Sequence, residues 1–492
     1  LKLRLRGEYD FLLQGRGKVK LWLNDELAME AHGDDLSQIK PVHLELVKGY
    51  NKLKIEYESP EAGDAAMRLY WSSDEFPSEP IFPEMLMHDG RNESWRKGEQ
   101  LRQGRLLLAQ NHCLKCHAAP ESLAMGLAER DACMPELNAA APSLAGIGSR
   151  LSPAWIEHWM VNPRKLRNRT TMPQVMGHDD GVNLVPVADI TAYLTTLRDD
   201  VAREAVEADD DVIDEGLTLF EDRGCIACHR FTPPEEEEED YDRVSLHYAG
   251  QKFQPGALAE FLSDTRKHYP WSRMPKFELT KEETTALAAY IRSESKGELE
   301  IFAVMKAPNP ADGKDLFESR GCAACHSVDA DAEPPASTAK ALTTLDLEAG
   351  CLSDSPPNTQ PKFPLDEQQR ASIAKFLKGD LKSLTRQTSA EFSRRQFDVM
   401  GCNACHSRDD TDADLPYVLL DFGELGHPPE PVPNITWAGE KLRADWTEKL
   451  FLGEIEYRPR PHFKIRMPAF PQRGKLLAEG ISAEHGFGPK EN

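Results

Sequence analysis

One five-residue pattern recurs four times in this chain and constrains its fold more than any other feature. Two cysteines separated by two residues are followed at once by a histidine, in motifs numbered one to four in chain order: Cys113-Cys116-His117, Cys225-Cys228-His229, Cys322-Cys325-His326 and Cys402-Cys405-His406. Cysteines three apart on one helical turn present both sulfurs on one face, where each can form a thioether with a haem vinyl group. The adjacent imidazole is a strong iron ligand. The pattern therefore predicts four covalently bound haem c groups, each with its iron.

A zinc site or a redox dithiol is the alternative interpretation, because both use two cysteines at this spacing without requiring a histidine directly afterwards. Each motif here also follows a similar helical segment. Gly104, Gly216 and Gly313 lie nine residues before the first cysteine of motifs one to three, and Gln396-Phe397 leads into motif four. This repetition favours haem attachment over both alternatives.

Charge and hydropathy narrow the classes of partner. The 492 residues carry a formal net charge of -23. Because nucleic acid and anionic membranes are also negatively charged, this charge argues against both as partners. A basic or neutral redox protein, attracted electrostatically, is the expected partner. No apolar run is long enough to span a bilayer, so no transmembrane segment is predicted in this chain.

Residues 1–88 differ from the rest because apolar and polar residues alternate there. This pattern predicts antiparallel strands near 2–13, 18–23, 42–46, 51–58 and 66–72. The order YDFLL, LWLND, LVKGYNKLKIEYE and RLYW resembles the second half of a protective-antigen-type β-sandwich. That resemblance implies a docking module or a polysaccharide-binding module. Asp34 and Asp35 are interpreted as a solvated turn rather than a calcium site.

From Asp89 onwards the apolar period becomes helical. An attachment helix (GEQLRQGRLLLAQNHCLKCH), a middle helix (SPAWIEHWMVNP), a methionine loop (RTTMPQVM) and a closing helix (VADITAYLTTL) follow one another. This order resembles a class I cytochrome c domain. The fold class predicted is therefore multidomain, an N-terminal all-β sandwich followed by four mainly α cytochrome c-like domains at 89–204, 205–300, 301–382 and 383–492.

The resemblance also implies a methionine as the sixth ligand of the iron. Met172 and Met274 both precede proline and lie at the same distance from matching glycine and proline residues, and Met467 follows in KIRMPAF. Met172 is predicted to face iron one, Met274 iron two and Met467 iron four. Met176 is an alternative for iron one.

The third domain departs from this pattern. Gln360 stands where Met274 is expected, and no methionine or histidine lies between His326 and Met400. Iron three is then either five-coordinate or bound by Cys351, Gln360, a lysine or a side chain from elsewhere. Cys351 has a second interpretation, a disulfide with Cys133, because these two cysteines lie outside the motifs.

Together these features predict a tetrahaem c-type cytochrome that carries electrons between extracytoplasmic redox partners, in the periplasm or outside the cell. Irons with histidine and methionine on opposite faces have no open position for substrate, which favours electron transfer over catalysis. The competing hypothesis is a haem enzyme or sensor, peroxidase-like or gas-binding, that uses the third haem.

Overall fold

The structure is a computed structural model in which a β-sheet region precedes a longer helical region. It describes the chain except residues 62–64, 83–84, 129–132, 178–181, 206–207, 237–240, 330–338, 358–359, 380, 427–429, 458 and 488–492. Among the described helices, none has both the length and the apolar composition that crossing a membrane requires.

The described part of the N-terminal region contains eight strands: β1 (Lys2–Leu3), β2 (Gly7–Leu23), β3 (Glu26–Gly33), β4 (Val42–Leu46), β5 (Gly49–Tyr50), β6 (Leu53–Glu58), β7 (Ala66–Ser73) and β8 (Phe76–Pro80). The long strand β2 organises them. Its first half pairs with β4 and β7, and its second half pairs with β3 and β6, all antiparallel. Side chains on one face of β2, including Phe11, Leu13, Val19 and Leu21, form the core of this region.

Two strand predictions need correction. The segments predicted as separate strands at 2–13 and 18–23 belong largely to the single strand β2, because Gly15 and Gly17, with φ of +126° and +119°, bend the strand without ending it. Strand β3 was not predicted, since ELAMEAHG has helix-favouring composition and no β-branched residue. The turn predicted at Asp34 and Asp35 is present after β3. Asp35 accepts hydrogen bonds there from the backbone N–H and the hydroxyl of Ser37.

The helical region contains eighteen α-helices among the described residues: α1 (Glu93–Gln110), α2 (Glu121–Ala128), α3 (Pro135–Asn138), α4 (Ile147–Arg150), α5 (Pro153–Val161), α6 (Pro163–Leu166), α7 (Leu184–Thr196), α8 (Asp210–Asp222), α9 (Ala249–Lys252), α10 (Ala257–Ser263), α11 (Lys281–Glu294), α12 (Pro310–Ser319), α13 (Glu367–Leu377), α14 (Ser389–Met400), α15 (Leu415–Phe422), α16 (Ala438–Lys441), α17 (Ala444–Leu452) and α18 (Gly474–Glu484). Two short parallel strands, β9 (His229–Arg230) and β10 (Val244–Ser245), lie after motif two.

The four attachment helices, α1, α8, α12 and α14, each pack against one closing helix. Helix α8 packs on α11 and α14 packs on α18, as contiguous domains require. Helix α1, however, packs on α13, and α12 packs on α7. The first and third attachment helices have therefore exchanged their closing helices, and these pairs do not follow the predicted boundaries 89–204 and 301–382.

Glycines allow the paired helices to approach closely. A Cβ on Gly104 of α1 would lie 2.1 Å from the carbonyl oxygen of Ser372 in α13. A Cβ on Gly313 of α12 would lie 1.9 Å from the carbonyl oxygen of Asp189 in α7. Because only glycine fits at such a contact, both exchanged pairs are specific helix crossings rather than loose contacts.

Two hydrophobic cores follow the exchange. One joins Leu108 and Leu137 from the first segment with Leu342, Phe376 and Leu381 from the third. The other joins residues from α4, α5 and α7 with the buried side chain of Phe317 on α12. The chain thus crosses from one core to the other after motif one and crosses back after motif three.

The β-sheet region contacts the fourth helical unit. The rings of Phe82 and Trp437 lie edge to face with centroids 4.4 Å apart. The Tyr70 hydroxyl donates to the carbonyl oxygen of Gly486 at 3.5 Å. This contact ties the sheet to the end of the helical region.

Candidate haem-attachment sites

The four motifs share one backbone conformation. Each begins with a 3-10 helix, at Cys113–Lys115, Cys225–Ala227, Cys322–Ala324 and Cys402–Ala404. The residue before each is left-handed, with φ of +79°, +76° and +64° at Gly224, Gly321 and Gly401 and +53° at His112. This turn separates the attachment helix from the motif, so the cysteines lie in a tight turn rather than in the α-helix itself.

All four motif histidines make the same hydrogen bond. Their Nδ1 atoms lie 2.7 to 3.3 Å from backbone carbonyl oxygens: His117 with Lys340, His229 with Val244, His326 with Pro142, and His406 with Pro433. Because a carbonyl oxygen only accepts, Nδ1 carries the proton and Nε2 keeps its lone pair. Each imidazole is therefore oriented as an iron ligand with a supporting hydrogen bond, and the residues present fit a covalently bound haem.

These hydrogen bonds repeat the exchange seen in the helices. His229 and His406 bond carbonyls in the segments that directly follow their own motifs. His117 instead bonds a residue that follows motif three, and His326 bonds a residue that follows motif one. After motif one, the chain therefore crosses between Leu137, which still packs in the core of motif one, and Pro142, which lies beside His326.

The cysteine environment does not suit a redox dithiol. Burial raises the pKa of Cys113, Cys225 and Cys402 to about 12 and that of Cys322 to about 11. Redox-active cysteines have lowered pKa values, since the thiolate is the reactive form. Among the described residues, no group of three or more His, Cys, Asp or Glu side chains is arranged to hold a metal ion.

The motifs lie close together in two pairs. The pKa of Cys325 is raised by burial and then by the charge of Cys116, which joins motif three to motif one. The pKa of Cys405 is raised by burial and then by the charge of Cys228, which joins motif four to motif two. Cys225 and Cys405 also pack in one core, and His117 and His326 each bond the segment after the other motif, so motifs one and three form one pair and motifs two and four another.

The predicted methionine loops are also paired. Gln174, two residues after Met172, forms two backbone hydrogen bonds of 3.0 and 2.9 Å with Lys362, two residues after Gln360. Lys276, two residues after Met274, pairs in the same way with Ala469, two residues after Met467. Each pair of motifs thus has its two loops joined at equivalent positions, which supports the sequence alignment of Gln360 with the methionines.

Met172 and Met176 differ in their surroundings. The indole Nε1 of Trp159 donates to the sulfur of Met172 at 2.9 Å, which orients the thioether. Met176 is 6% exposed and packs in the core with Ile147 and Ile190, as a core residue does. Met172 is therefore the better ligand candidate. Met274 is partly buried against the core of its own unit, and Met467 is 40% exposed.

Among the described residues, no disulfide joins the two cysteines outside the motifs, Cys133 and Cys351. Cys133 is fully buried and accepts a hydrogen bond from Asn138. Cys351 instead lies near motif one, where its charge contributes to the raised pKa of Cys113. A Cβ on the neighbouring Gly350 would lie 2.9 Å from the side-chain oxygen of Gln360, so Cys351 and Gln360 share one surface of that unit.

His112 was not singled out by the sequence patterns. It occupies the left-handed position held by glycine in the other three motifs, and its buried Nδ1 has no hydrogen-bond partner. Burial lowers its pKa to about 4, with further contributions from Lys115 and His326. Aligning the four motifs could have identified His112, because only motif one lacks the glycine before its first cysteine.

Comparisons with known proteins agree with part of this description. Residues 213–295 match the cytochrome c family model. Over 128 residues the chain is 31% identical to the Cbb3-type cytochrome c oxidase subunit CcoP of Helicobacter pylori (strain 52) and 30% identical to that of strain ATCC 700392 / 26695. These alignments cover 24% of this chain and about 38% of the curated relatives it matches. No solved structure matches. Residues 213–295, with motif two and Met274, are thus a cytochrome c domain, and the chain is similar to c-type cytochromes.

Proposed function

We propose that this chain is a tetrahaem c-type cytochrome that carries electrons between extracytoplasmic redox partners. The eight motif cysteines would hold four haem c groups, His117, His229, His326 and His406 would bind the irons, and Met172, Met274 and Met467 would be sixth ligands. The observation that carries the proposal is the shared hydrogen bond of the four histidines, because each leaves Nε2 free for iron.

The haem supplies a one-electron couple between Fe(II) and Fe(III), and the protein sets its potential. Thioether ligands from Met172, Met274 and Met467 would stabilise Fe(II) and raise the potential. These methionines would also leave no ligand position open for a substrate. Three such irons favour transfer of electrons over catalysis.

The pairing of the motifs supports a route for the electrons. Cys225 of motif two and Cys405 of motif four pack in one core, and the histidines of motifs one and three each bond the segment after the other motif. Electrons would then equilibrate within each pair before moving between pairs. The hydrogen bonds from Arg473 to the carbonyl oxygens of Trp271 and Ser272, at 2.9 and 3.1 Å, fix the fourth unit against the second.

The β-sheet region would serve as a docking module for a redox partner or a polysaccharide. Its contacts through Phe82 and Tyr70 attach it to the fourth helical unit, which supports a role in presenting that unit to a partner. The acidic chain, with a net charge of -23, favours a basic or neutral protein partner. A periplasmic or extracellular location is part of the same proposal.

Haem counting tests the proposal directly. Mass spectrometry of the protein from a host that matures c-type cytochromes should find four covalent haems, and each double substitution of the cysteines in one motif to serine should remove one. Cys133→Ser is the matched control, because Cys133 lies outside the motifs, and should retain all four. A native protein without covalent haem would contradict the proposal.

Potentiometry tests the electron-transfer role. Titration of the four-haem protein with spectroscopic detection should give reversible one-electron transitions for every haem. Haems that stay fixed in one oxidation state across the titration would contradict a carrier role.

A further inference from the structure

The exchange of segments between the first and third units changes which iron each sixth ligand can reach. The unexchanged second unit provides the reference, because Met274 and Cys225 belong to the same core as helices α8 and α11. Motif, closing helix and methionine loop therefore share one core in this protein. In the exchanged units, the loop that serves each motif is therefore the one that packs in the same core as that motif.

The core around motif three contains the loop of Met172. Cys322 and Ala323 pack there with Val175 and Met176, which lie just after Met172. The hydrogen bond from the motif histidine, His326, goes to Pro142 in the same segment. Trp159, which donates to the sulfur of Met172, is on α5, and α5 packs on α7 in this unit.

The links between this segment and the chain leading into motif three are numerous. The side chain of Glu157 accepts from the backbone N–H of Phe302 at 2.7 Å. The side chain of Asp189 accepts from the backbone N–H of Asn309 at 2.7 Å. Asp189 and Glu157 are both buried, so these are structural contacts rather than surface ones.

The core around motif one contains a different loop. Cys113 packs there with Leu342 and Leu345, which follow motif three in the chain. The corresponding loop of this unit carries Gln360 and, near it, Cys351. Met134 also belongs to this core, but it is 1% exposed and packed among leucines.

We propose that Met172 is the sixth ligand of iron three, and that iron one, held at Cys113 and Cys116, is the centre without methionine and faces Gln360 and Cys351. This inference rests on the proposed function and reassigns the irons within it. It reverses the expectation from the order of the sequence, in which Met172 served iron one and iron three was the odd centre.

Removal of single haems tests the assignment. The near-infrared sulfur-to-iron band counts methionine-ligated ferric haems, and the four-haem protein should show three. Cys113→Ser with Cys116→Ser should lose a haem and keep all three methionine-ligated irons. Cys322→Ser with Cys325→Ser should lose a haem and keep two. The opposite result, or four methionine-ligated irons in the unsubstituted protein, would overturn the assignment.

Haem counting distinguishes the two levels of failure. Fewer than four haems in the unsubstituted protein would contradict the proposed function itself. Four haems with the opposite band pattern would contradict only the assignment of Met172.

A second experiment keeps all four haems and tests the exchange itself. The Nζ of Lys375 on α13 donates to the side-chain oxygen of Gln100 on α1 at 2.6 Å. Gln100→Glu should therefore allow a carbodiimide to join residues 100 and 375 in the monomer. Gln100→Glu with Lys375→Gln should abolish that cross-link.

Asn309 provides the matched control, because it precedes motif three by the same distance as Gln100 precedes motif one. In the exchanged arrangement Asn309 lies beside Asp189, so Asn309→Glu should not cross-link to Lys375. A cross-link from residue 309 and none from residue 100 would show contiguous domains and overturn the proposal.

Discussion

The imidazole Nδ1 of His326 donates to the carbonyl oxygen of Pro142, 184 residues earlier in the chain, at 2.8 Å. His117 makes the reciprocal bond to Lys340 at 2.7 Å. Two histidines that would bind different irons are thus each oriented by the segment that follows the other motif. Disturbing one segment is therefore expected to affect the haem that lies far from it in sequence.

The close contact at Gly313 gives a prediction of stability. Gly313→Ala should destabilise the protein by about 1 to 3 kcal/mol, because its Cβ would lie 1.9 Å from the carbonyl oxygen of Asp189. Gly98→Ala, in the exposed part of α1 with no atom near its Cβ, should instead stabilise by about 0.5 to 1 kcal/mol. Chemical denaturation of both variants measures the contrast, and equal effects would contradict the close helix crossing.

The left-handed backbone at His112 gives a second prediction. His112→Gly should stabilise the protein by about 0.5 to 1 kcal/mol, because glycine adopts this conformation without strain. Gly321→Ala should destabilise by about 1 to 2 kcal/mol, since its Cβ would meet no other atom and only the backbone is strained. Thermal unfolding of the haem-loaded proteins would show the two shifts in opposite directions. A loss of stability in His112→Gly would contradict this prediction. It would mean that burial of the imidazole stabilises the protein by more than the left-handed backbone destabilises it.

The hydrogen bond from Trp159 to Met172 gives a prediction of potential. Trp159→Phe should lower the potential of one haem by up to about 40 mV, because loss of a bond worth about 1 kcal/mol makes the sulfur a stronger donor to Fe(III). Trp95→Phe is the control, since Trp95 is partly exposed and packs on His88 instead. Potentiometric titration resolves the haems, and an unchanged set of potentials in Trp159→Phe would contradict a role for this contact.

An acidic side chain near the end of α7 gives a prediction of pH dependence. Hydrogen bonds from Arg203, at 2.6 and 2.8 Å, lower the pKa of Asp199 to about 2 from its usual 3.8. Its contribution to stability is therefore complete above pH 4 and lost as the pH falls towards 2. Asp199→Asn should remove about 1 kcal/mol at neutral pH and flatten the acid limb of the stability profile, whereas Asp200→Asn should not. Unfolding measured across acidic pH tests both variants, and an unchanged acid limb in Asp199→Asn would contradict the ion pair.

Local patterns predicted much of the site. The spacing of cysteine and histidine gave all four motifs, and the alignment of Gln360 with Met274 identified the one loop without methionine. The closing helices were also recognised, because α7, α11 and α13 have an aromatic residue at equivalent positions, Tyr193, Tyr290 and Phe376. These features depend on residues close together in sequence.

Local sequence pattern could not predict which attachment helix packs on which closing helix. Gly104 faces Ser372 on α13 and Gly313 faces Asp189 on α7, and the two glycines lie at the same distance before their motifs. Nothing in the period of the apolar residues distinguishes a partner in the next segment from one in a distant segment. The choice depends on which cores the connecting segments can reach, and that is a property of the whole chain.

The exchange also imposes an order on synthesis. Helix α1 and motif one precede their packing partner α13 by more than two hundred residues, so during translation the first core cannot close until the chain has extended through Leu377. Cys113 and Cys116 would stay accessible throughout that interval, while α8, which leads into motif two, meets its partner α11 within residues 210–294. This protein would therefore complete the fold around its first motif only after α8 and α11 have paired beside its second.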